Sequence, residues 1–189
     1  MRVAVIGAGN IGGTLGGVWE KSGHDVVYGL REPSKRKGAR TTEQAIEGAD
    51  AVLLAIPGDA VVDFVAQHAK ALDGKVVIDA TNNFRGAAMN SWPECAPVIP
   101  DASLFRAFNS YGFDILVKPE VGGEAADLFY AGPDGPGKAV VEQLISDVGL
   151  RPVWVGGTDQ AGTVDGVLRL WFTLSQKRGR RIAFKLLSD

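Results

Sequence analysis

Three glycines near the start of the chain have a spacing that could hold a diphosphate. Gly7, Gly9 and Gly12 stand in the segment GAGNIG, directly after a short β-branched run. In this G-x-G-x-x-G pattern the first glycine permits a tight turn, the second admits a pyrophosphate, and the third lets a helix pack on a strand. The backbone N–H groups around Asn10 and Ile11 would then face the phosphates. The pattern therefore predicts a dinucleotide site.

The end of the second predicted strand favours NADP over NAD. A site for NAD usually carries an Asp or Glu there to hold the ribose 2′-hydroxyl. This strand instead ends in YGL, and Arg31 follows, with Lys35 close behind. A guanidinium suits a 2′-phosphate because it brings two parallel donors and a full charge. Glu32 supports NAD, the alternative cofactor, since its carboxylate could contact a ribose hydroxyl.

Two asparagines follow the fourth and fifth predicted strands, where a doubly wound sheet binds its ligands. Asn82 and Asn109 carry neutral amides that suit a nicotinamide carboxamide or a ribose. The alternative for each is an Asx turn that only shapes the loop. Both readings stay open on sequence grounds.

A proton donor for carbonyl reduction is hard to find in this crevice. His24 and His68, the two histidines, both fall at the amino edge of the predicted sheet. No Tyr-x-x-x-Lys pair occurs, and the last predicted helix has no lysine before Lys177. Tyr111 is the one weak candidate acid, so the catalytic residue is left unknown. An acceptor that needs no strong acid, such as a flavin-type ring, fits this site better.

The elements that must position these residues alternate between strand and helix. This alternation indicates βαβ units, and we predict an α/β fold, Rossmann-like and doubly wound, with a mostly parallel sheet. We expect one domain over residues 1–189 with a C-terminal helical arm over about 159–189. Strands are predicted over residues 2–6, 25–28, 51–56, 75–79, 103–108, 127–130 and 151–155, and helices over 10–21, 41–49, 59–72, 91–96, 138–148 and 159–177.

The composition excludes several classes of protein. The 189 residues carry 20 Lys and Arg against 22 Asp and Glu, a net charge of −2, which argues against nucleic acid as a partner. No apolar run reaches the ~18 residues of a membrane span. A single cysteine, Cys95, forms no intrachain disulfide and no cysteine-rich metal site. We expect a cytoplasmic protein with no metal and no membrane partner.

Eight segments spread along the chain, given below, together resemble a known family. The chain is similar to the NADPH-dependent reductases of the deazaflavin coenzyme F420, and to the cytosolic NADPH-binding domain of the six-transmembrane ferric reductases. The resemblance implies a Rossmann fold, NADP, and hydride transfer to a flavin or deazaflavin ring, typically in a homodimer. It is carried by GAGNIG, VVYGLRE, AVLLAIP, VVIDATN, FRAFN, DLFYAG, GLRP and RIAFKLL.

The resemblance also implies roles for individual residues. Gly9 to Ile11 would face the pyrophosphate, and Arg31 with Lys35 would face the 2′-phosphate. Ile56 and Pro57 would line the path from the adenosine to the nicotinamide. Ala80 and Ala107 would lie at the nicotinamide end.

Two positions depart from the family pattern. Leu30 stands where the family has Ser or Thr, which removes one hydrogen bond to the 2′-phosphate. Arg106 stands where it has Lys, which keeps the charge.

Three functions stay open on the sequence alone. The first is an NADP-dependent oxidoreductase that moves hydride between the nicotinamide and a flavin or deazaflavin, a small-molecule redox substrate. The second is a reductase of a small carbonyl or imine, with Tyr111 or an ordered water as the acid. The third is a sensor or electron-relay module that binds NADPH without turnover.

The C-terminal arm carries a basic cluster and several aromatic side chains. Residues 177–181 read as a solvated helix end, or alternatively as a contact for an anionic acceptor tail. Trp171, Phe172 and Phe184 exceed what an exposed arm should carry. We therefore predict that they pack on the domain or on a second subunit of a homodimer.

Overall fold

The computed structural model describes residues 1–189, and the chain opens with a strand, a glycine turn and a helix. The strand β1 (Arg2–Ile6) leads into α1 (Asn10–Lys21), which has the bounds that the sequence predicts. Leu15 and Trp19 of α1 are fully buried against the sheet. Their spacing of four residues places both on one face of the helix.

The central sheet has five parallel strands in the order β2-β1-β3-β4-β5. The direction of strand order reverses between β1 and β3, which opens a crevice at the carboxyl edge of the sheet. The α/β Rossmann-like fold expected from the sequence is therefore confirmed. The other four strands are β2 (Asp25–Gly29), β3 (Ala51–Leu54), β4 (Val76–Asp79) and β5 (Ser103–Arg106).

Helices cover both faces of this sheet, as a buried parallel sheet requires. One face packs on α2 (Thr42–Ile46), α3 (Val61–Leu72) and α4 (Trp92–Cys95). The other face packs on α1 and three further helices. These are α5 (Phe113–Val117), α6 (Pro136–Asp147) and α7 (Ala161–Arg178).

Two of the predicted strands form a small parallel sheet of their own. The strands β8 (Asp127–Tyr130) and β9 (Arg151–Trp154) pair with each other and not with the five-stranded sheet. A single antiparallel bridge between Arg106 and Ala131 joins β8 to the end of β5. The small sheet thereby extends the main sheet beyond β5.

Three short elements between β5 and β8 were not predicted from the sequence. These are α5 and the hairpin of β6 (Glu120–Val121) and β7 (Glu124–Ala125). Elements this short carry no measurable periodicity. The pair Gly122-Gly123, both with positive φ, is the local signal that could have revealed the hairpin.

The C-terminal arm is helical only as far as Arg178, which corrects the predicted helical arm over 159–189. Gly179, with φ of 80°, follows the end of α7, and residues 180–189 form an extended strap without regular structure. Arg180 pairs with Asp114 at 2.6 Å, and Arg181 donates to three backbone carbonyls around α5. Residues 177–181 are all exposed, as expected of a solvated helix end, but these two arginines also have partners within the chain, which was not expected.

The aromatic side chains of the arm pack on the domain, which was one of the two predicted partners, the other being a second subunit. Trp171 is fully buried, and its Nε1 donates to the carbonyl of Ile182 at 3.1 Å. Phe172 and Phe184 pack against the same core. A homodimer stays a prediction. None of the helices has the length and apolar character needed to cross a membrane.

Candidate functional site

The turn between β1 and α1 leaves room for a ligand at one glycine only. A Cβ on Gly7, whose φ is 96°, would lie 2.5 Å from the carbonyl oxygen of Ala55. A Cβ on Gly12 would lie 2.0 Å from the carbonyl oxygen of Gly7. A Cβ on Gly9 would meet nothing within 4 Å. Gly7 and Gly12 therefore hold the turn against the sheet, while the space over Gly9 is open.

The first turn of α1 presents unsatisfied donors to that open space. Gly9 is the N-cap, and no side chain caps the helix. No acidic residue stands in the first turn, although acids are favourable there. The leading N–H groups, from Asn10 onward, and the positive end of the helix dipole are thus left for an anion. A pyrophosphate fits this arrangement.

A cavity of about 420 Å³ lies beside the end of β2. Arg31 lines it and forms no ion pair, so its guanidinium is available to an anionic ligand. Glu32 instead pairs with Lys35 at 2.7 Å between Oε1 and Nζ. The cavity is lined by Leu30, Arg31, Thr41, Thr42, Glu43, Ala60, Asp63, Phe64, Gln67 and His68.

His68 lies closer to this cavity than the sequence analysis expected. It is buried, borders the cavity that Arg31 lines, and its Nδ1 lies 3.1 Å from Glu43. His24 is at the amino edge as predicted, with its Nε2 2.7 Å from Asp147. The expectation that both histidines lie away from the ligand crevice is therefore wrong for His68.

Arg36 makes a contact that the sequence analysis did not anticipate. Its guanidinium lies 3.6 Å from the centre of the Tyr28 ring, a cation–π geometry. Burial raises the pKa of Tyr28, against the opposing effect of the Arg36 charge, and the Tyr28 hydroxyl has no hydrogen-bond partner. Sequence spacing does not reveal this contact, because Tyr28 lies in β2 and Arg36 in the loop that follows it.

Arg106, at the carboxyl end of β5, joins three parts of the chain at the base of the crevice. Its side chain is fully buried, and it pairs with Asp79 at 2.9 Å and with Asp165 at 2.6 Å. It also donates to the carbonyl of Thr81 and to Oδ1 of Asn82. One guanidinium therefore connects β4, the loop after it, and α7.

Asn82 and Asn109 lie together above Arg106, as the sequence analysis expected of groups at one sheet edge. Nδ2 of Asn109 donates to the carbonyl of Thr81 at 3.0 Å and to Oδ1 of Asn82 at 3.2 Å. Oδ1 of Asn109 is buried without any partner. Neither residue forms the Asx turn that was the alternative. Asn83 forms one, because its Oδ1 accepts the N–H of Arg85 at 3.3 Å, and it also accepts the N–H of Gly86 at 2.9 Å.

The backbone before Asn109 is strained. Phe108 has φ of 67°, in the left-handed region that bulky residues rarely occupy. Its ring packs edge-on against Trp19 at 5.8 Å between centroids, which helps to hold that conformation. Such strain concentrates at functional sites. Phe108 is the site residue for which the sequence contains no signal, because only the folded backbone shows the outlier.

The remaining predicted lining residues differ in exposure. Ile56 is half-buried and Pro57 is exposed, and Pro57 borders a cavity of about 190 Å³ at the ends of β3 and β4. Ala80 is 5% exposed, whereas Ala107 has no exposed surface. The structure therefore brings Ile56, Pro57 and Ala80 to the crevice edge and places Ala107 below it.

Tyr111, the weak candidate acid, has its hydroxyl committed within the chain. The hydroxyl donates to the carbonyl of Asp127 at 2.6 Å and accepts the N–H of Phe184 at 3.0 Å. Burial raises its pKa to about 12. Tyr111 thus fastens the C-terminal strap and has no free proton to offer at the crevice.

Comparison with known proteins agrees with this geometry. Residues 2–83 match the model of a family described as NADP oxidoreductase, coenzyme F420-dependent. The matched segment contains the glycine turn, Arg31 and Asn82, so the resemblance found in the sequence is confirmed there. Arg106 and α7 lie beyond it.

Solved structures share the fold over the whole chain. A protein from Arthrobacter sp. FB24, provisionally named an F420-dependent NADP reductase, has a TM-score of 0.86 at 23% identity, with all of both chains covered. A hypothetical protein from Sinorhizobium meliloti has a TM-score of 0.72 at 26% identity, covering 100% of this chain and 96% of that one. A reductive aminase from Aspergillus terreus has 0.68 at 18%, covering 93% of this chain and 61% of its own.

Proposed function

We propose that the protein binds NADPH and transfers hydride from it to a flavin-type ring, either a flavin or a deazaflavin. The observation that carries the proposal is the uncapped start of α1 over the open space at Gly9. This site lies at the strand-order reversal where doubly wound sheets bind dinucleotides. NADPH, when bound, supplies a hydride; its nicotinamide is oxidised by two electrons while the acceptor ring is reduced and takes its proton from solvent.

The adenosine end of the site favours NADP over NAD. Arg31 offers a guanidinium without an acidic partner, and Glu32 is engaged by Lys35. Leu30 supplies no side-chain hydrogen bond, so Arg31 is the main ligand that we propose for the 2′-phosphate. Charge-assisted bidentate hydrogen bonds of this kind are among the strongest in proteins. Lys35 would add a second positive charge by exchanging its exposed ion pair with Glu32 for the same phosphate.

The two asparagines are the groups that we propose for the nicotinamide end. A buried acceptor without a donor costs about 1–3 kcal/mol, and because Asn109 has no exposed surface, a ligand would satisfy its Oδ1 only by bringing an N–H group past Asn82. A carboxamide carries such a group. Asn82 is half-buried on the crevice side of Asn109, and its Nδ2 forms no hydrogen bond within the chain. The pair would orient the nicotinamide ring.

The side chains of the crevice support a flavin-type acceptor. The Tyr111 hydroxyl is committed to Asp127 and Phe184, so Tyr111 does not serve as the acid for a carbonyl substrate. A flavin-type ring delocalises the transferred electrons and needs no such acid. The chain's contribution is then the relative placement of two rings. Its structural likeness to a reductive aminase bound to NADPH and ethyl levulinate makes imine reduction the alternative to test.

Stopped-flow absorbance at the nicotinamide band tests this proposal. NADPH is mixed with the protein and, in separate runs, with FMN, a deazaflavin, simple ketones and cyclic imines. We expect oxidation with the flavin-type acceptors only. Oxidation with ketones or imines alone would support the alternative reductase. NADPH binding in a calorimeter without oxidation by any acceptor would support the sensor.

A further inference from the structure

Two hydrogen bonds converge on one oxygen at the end of the crevice that we assign to the nicotinamide. Oδ1 of Asn82 accepts from Nη2 of Arg106 at 2.9 Å and from Nδ2 of Asn109 at 3.2 Å. Both donor residues are fully buried, whereas Asn82 is half-buried and lines the cavity at the ends of β3 and β4. An amide is planar, so two donors on its oxygen also fix the direction of its Nδ2. Arg106 and Asn109 therefore decide how the Asn82 amide is presented at the crevice.

The donor Asn109 is linked to the C-terminal strap through Tyr111. The Tyr111 hydroxyl accepts the N–H of Phe184 at 3.0 Å and donates to the carbonyl of Asp127 at 2.6 Å, so it joins the loop after β5 to the strap and to β8. On the other side of Asn109, Phe108 keeps a φ of 67°, a conformation that persists only where the surrounding structure enforces it. Without the Tyr111 hydroxyl this stretch is free to relax, and Asn109 moves with it.

The donor Arg106 is linked to the same strap through α7. Asp165 on this helix accepts from Nη2 of Arg106 at 2.6 Å. Further along the helix, the buried Trp171 donates from Nε1 to the carbonyl of Ile182 in the strap at 3.1 Å. The indole also lies against the loop after β5, since a Cβ on Gly112 would fall 2.3 Å from its Cη2. The strap therefore holds the helix from which Asp165 reaches Arg106.

We propose that the C-terminal strap sets the orientation of the Asn82 amide, and that Tyr111 is the positioning residue through which it acts. Tyr111 works through Asn109 and contributes no reacting group. The inference rests on the proposed function, because the orientation of Asn82 matters to binding only if the nicotinamide carboxamide lies there.

The influence of the strap is confined to one half of the dinucleotide. Its other hydrogen bonds go to α5, the β6–β7 hairpin and the small sheet, and none goes to the glycine turn. Loosening the strap should therefore weaken the hold on the nicotinamide and leave the hold on the phosphates unchanged.

Two nucleotides that differ in the nicotinamide separate this role from a purely structural one. NADPH and 2′-phospho-ADP-ribose share the adenosine, the 2′-phosphate, the diphosphate and the second ribose, and only NADPH carries the nicotinamide. A substitution that merely destabilises the fold weakens both nucleotides alike. A substitution that turns the Asn82 amide weakens NADPH alone.

Calorimetry of both nucleotides with Tyr111→Phe is the central experiment. This variant loses the hydroxyl and keeps the ring that stacks on Phe184 at 5.8 Å between centroids. We expect NADPH to bind about fivefold more weakly, the scale of one hydrogen bond, and 2′-phospho-ADP-ribose to bind as before. Tyr130→Phe is the matched control, because Tyr130 is a buried tyrosine of β8 whose hydroxyl donates to Glu142 and not to the strap. Its relative affinity for the two nucleotides should equal that of the native protein.

A second pair of variants loosens the strap from the surface and leaves the core intact, so it decides the question if Tyr111→Phe does not fold. Arg181 is exposed and donates to the backbone carbonyls of Asp114, Lys118 and Glu120. Arg181→Ala should reduce the preference for NADPH in the same direction as Tyr111→Phe and by less. Arg178→Ala, which removes an exposed arginine from the last turn of α7, should leave that preference unchanged.

The possible outcomes separate the inference from the proposed function. If the native protein prefers NADPH and both Tyr111→Phe and Arg181→Ala keep that preference, the strap does not position Asn82, and the proposed function stands. If the native protein binds the two nucleotides equally, the nicotinamide has no ligand at this end and the inference is overturned. If the native protein binds neither nucleotide, the proposed function itself is wrong.

Discussion

The two ends of the crevice are built by different means. At the phosphate end, Gly7, Gly9 and Gly12 shape the backbone, and the binding groups that we propose are main-chain N–H groups within one turn of helix. At the end that we propose for the nicotinamide, Arg106 contacts Asp165, 59 residues away in sequence, and holds side chains from β4, the loop after it and α7. One end depends on local backbone geometry and the other on long-range side-chain contacts.

This difference explains why the ends should respond differently to substitution. A site made of backbone groups tolerates changes in distant side chains, because the conformation of the turn between β1 and α1 is determined by its own glycines. The nicotinamide end has no such independence, since removing one buried partner leaves the others unpaired. The following predictions test that contrast, from the largest expected effect to the smallest.

Replacing the buried guanidinium should have the largest effect on stability. Arg106→Met leaves Asp79 and Asp165 buried without a counter-charge, and we expect a loss of about 3–5 kcal/mol in the free energy of unfolding. Urea denaturation measures it. Arg106→Lys is the control and should lose less, because one charge remains. Equal stability of Arg106→Met and the native protein would contradict the claim that the buried Arg106 is needed to neutralise Asp79 and Asp165.

Two substitutions in the glycine turn should affect different quantities, one the stability of the protein and the other its affinity for NADPH. Gly12→Ala places a Cβ 2.0 Å from the carbonyl oxygen of Gly7, and we expect a loss of about 1–3 kcal/mol in stability. Gly9→Ala meets no atom, so its urea midpoint should stay unchanged while its affinity for NADPH falls. Calorimetry with NADPH measures the second effect. If Gly9→Ala binds NADPH normally, the phosphates do not lie over Gly9.

Cofactor preference should depend on Arg31. We expect Arg31→Ala to weaken NADPH binding by about 1–3 kcal/mol and to leave NADH binding almost unchanged, because only NADPH carries the 2′-phosphate. Binding of each nucleotide is measured by calorimetry. Lys37→Ala removes an exposed charge nearby and serves as the control. Equal losses for the two nucleotides would refute the phosphate assignment.

The smallest effect concerns the C-terminal strap and pH. Burial of the Asp127 carboxyl opposes ionisation, but hydrogen bonds from Arg151 and from the N–H of Leu186 outweigh it and lower its pKa. The carboxylate therefore contributes stability at neutral pH, and this is lost as the pH falls from about 4, the ordinary value for Asp, through the lowered pKa.

Urea midpoints measured from pH 7 downward test this titration. Asp127→Asn should be less stable than the native protein at pH 7, and its midpoint should fall less in acid. If the urea midpoints of the two proteins fall in parallel as the pH is lowered, the titration of Asp127 does not contribute to the pH dependence of stability.

Local signals in the sequence predicted most of the regular structure. The bounds of β1 and α1 follow from one β-branched run, one glycine pattern and one helical period, all within 21 residues. The capping box at Thr41 and Gln44 likewise marks the start of α2. The helix α5 lacks such a signal and was missed, and the β6–β7 hairpin was missed although the pair Gly122-Gly123 marks its turn.

Side-chain partners could not be predicted in the same way. Nothing near Tyr111 in the sequence indicates that its hydroxyl would bind Asp127 and the strap at Phe184, so it was taken as a possible acid. His68 was placed away from the crevice for the same reason. In each case the partner comes from another element, and its distance depends on how the helices pack.

The sequence by itself determined the sheet, the glycine turn and the charge at Arg31, because turn geometry and strand burial depend on neighbouring residues. Tertiary structure alone decided that Arg106 joins β4 to α7, that Asn109 keeps an unpartnered oxygen, and that the last residues form a strap. These features arise where elements distant in sequence are brought into contact, and the free energy of burying a polar group depends on every partner around it.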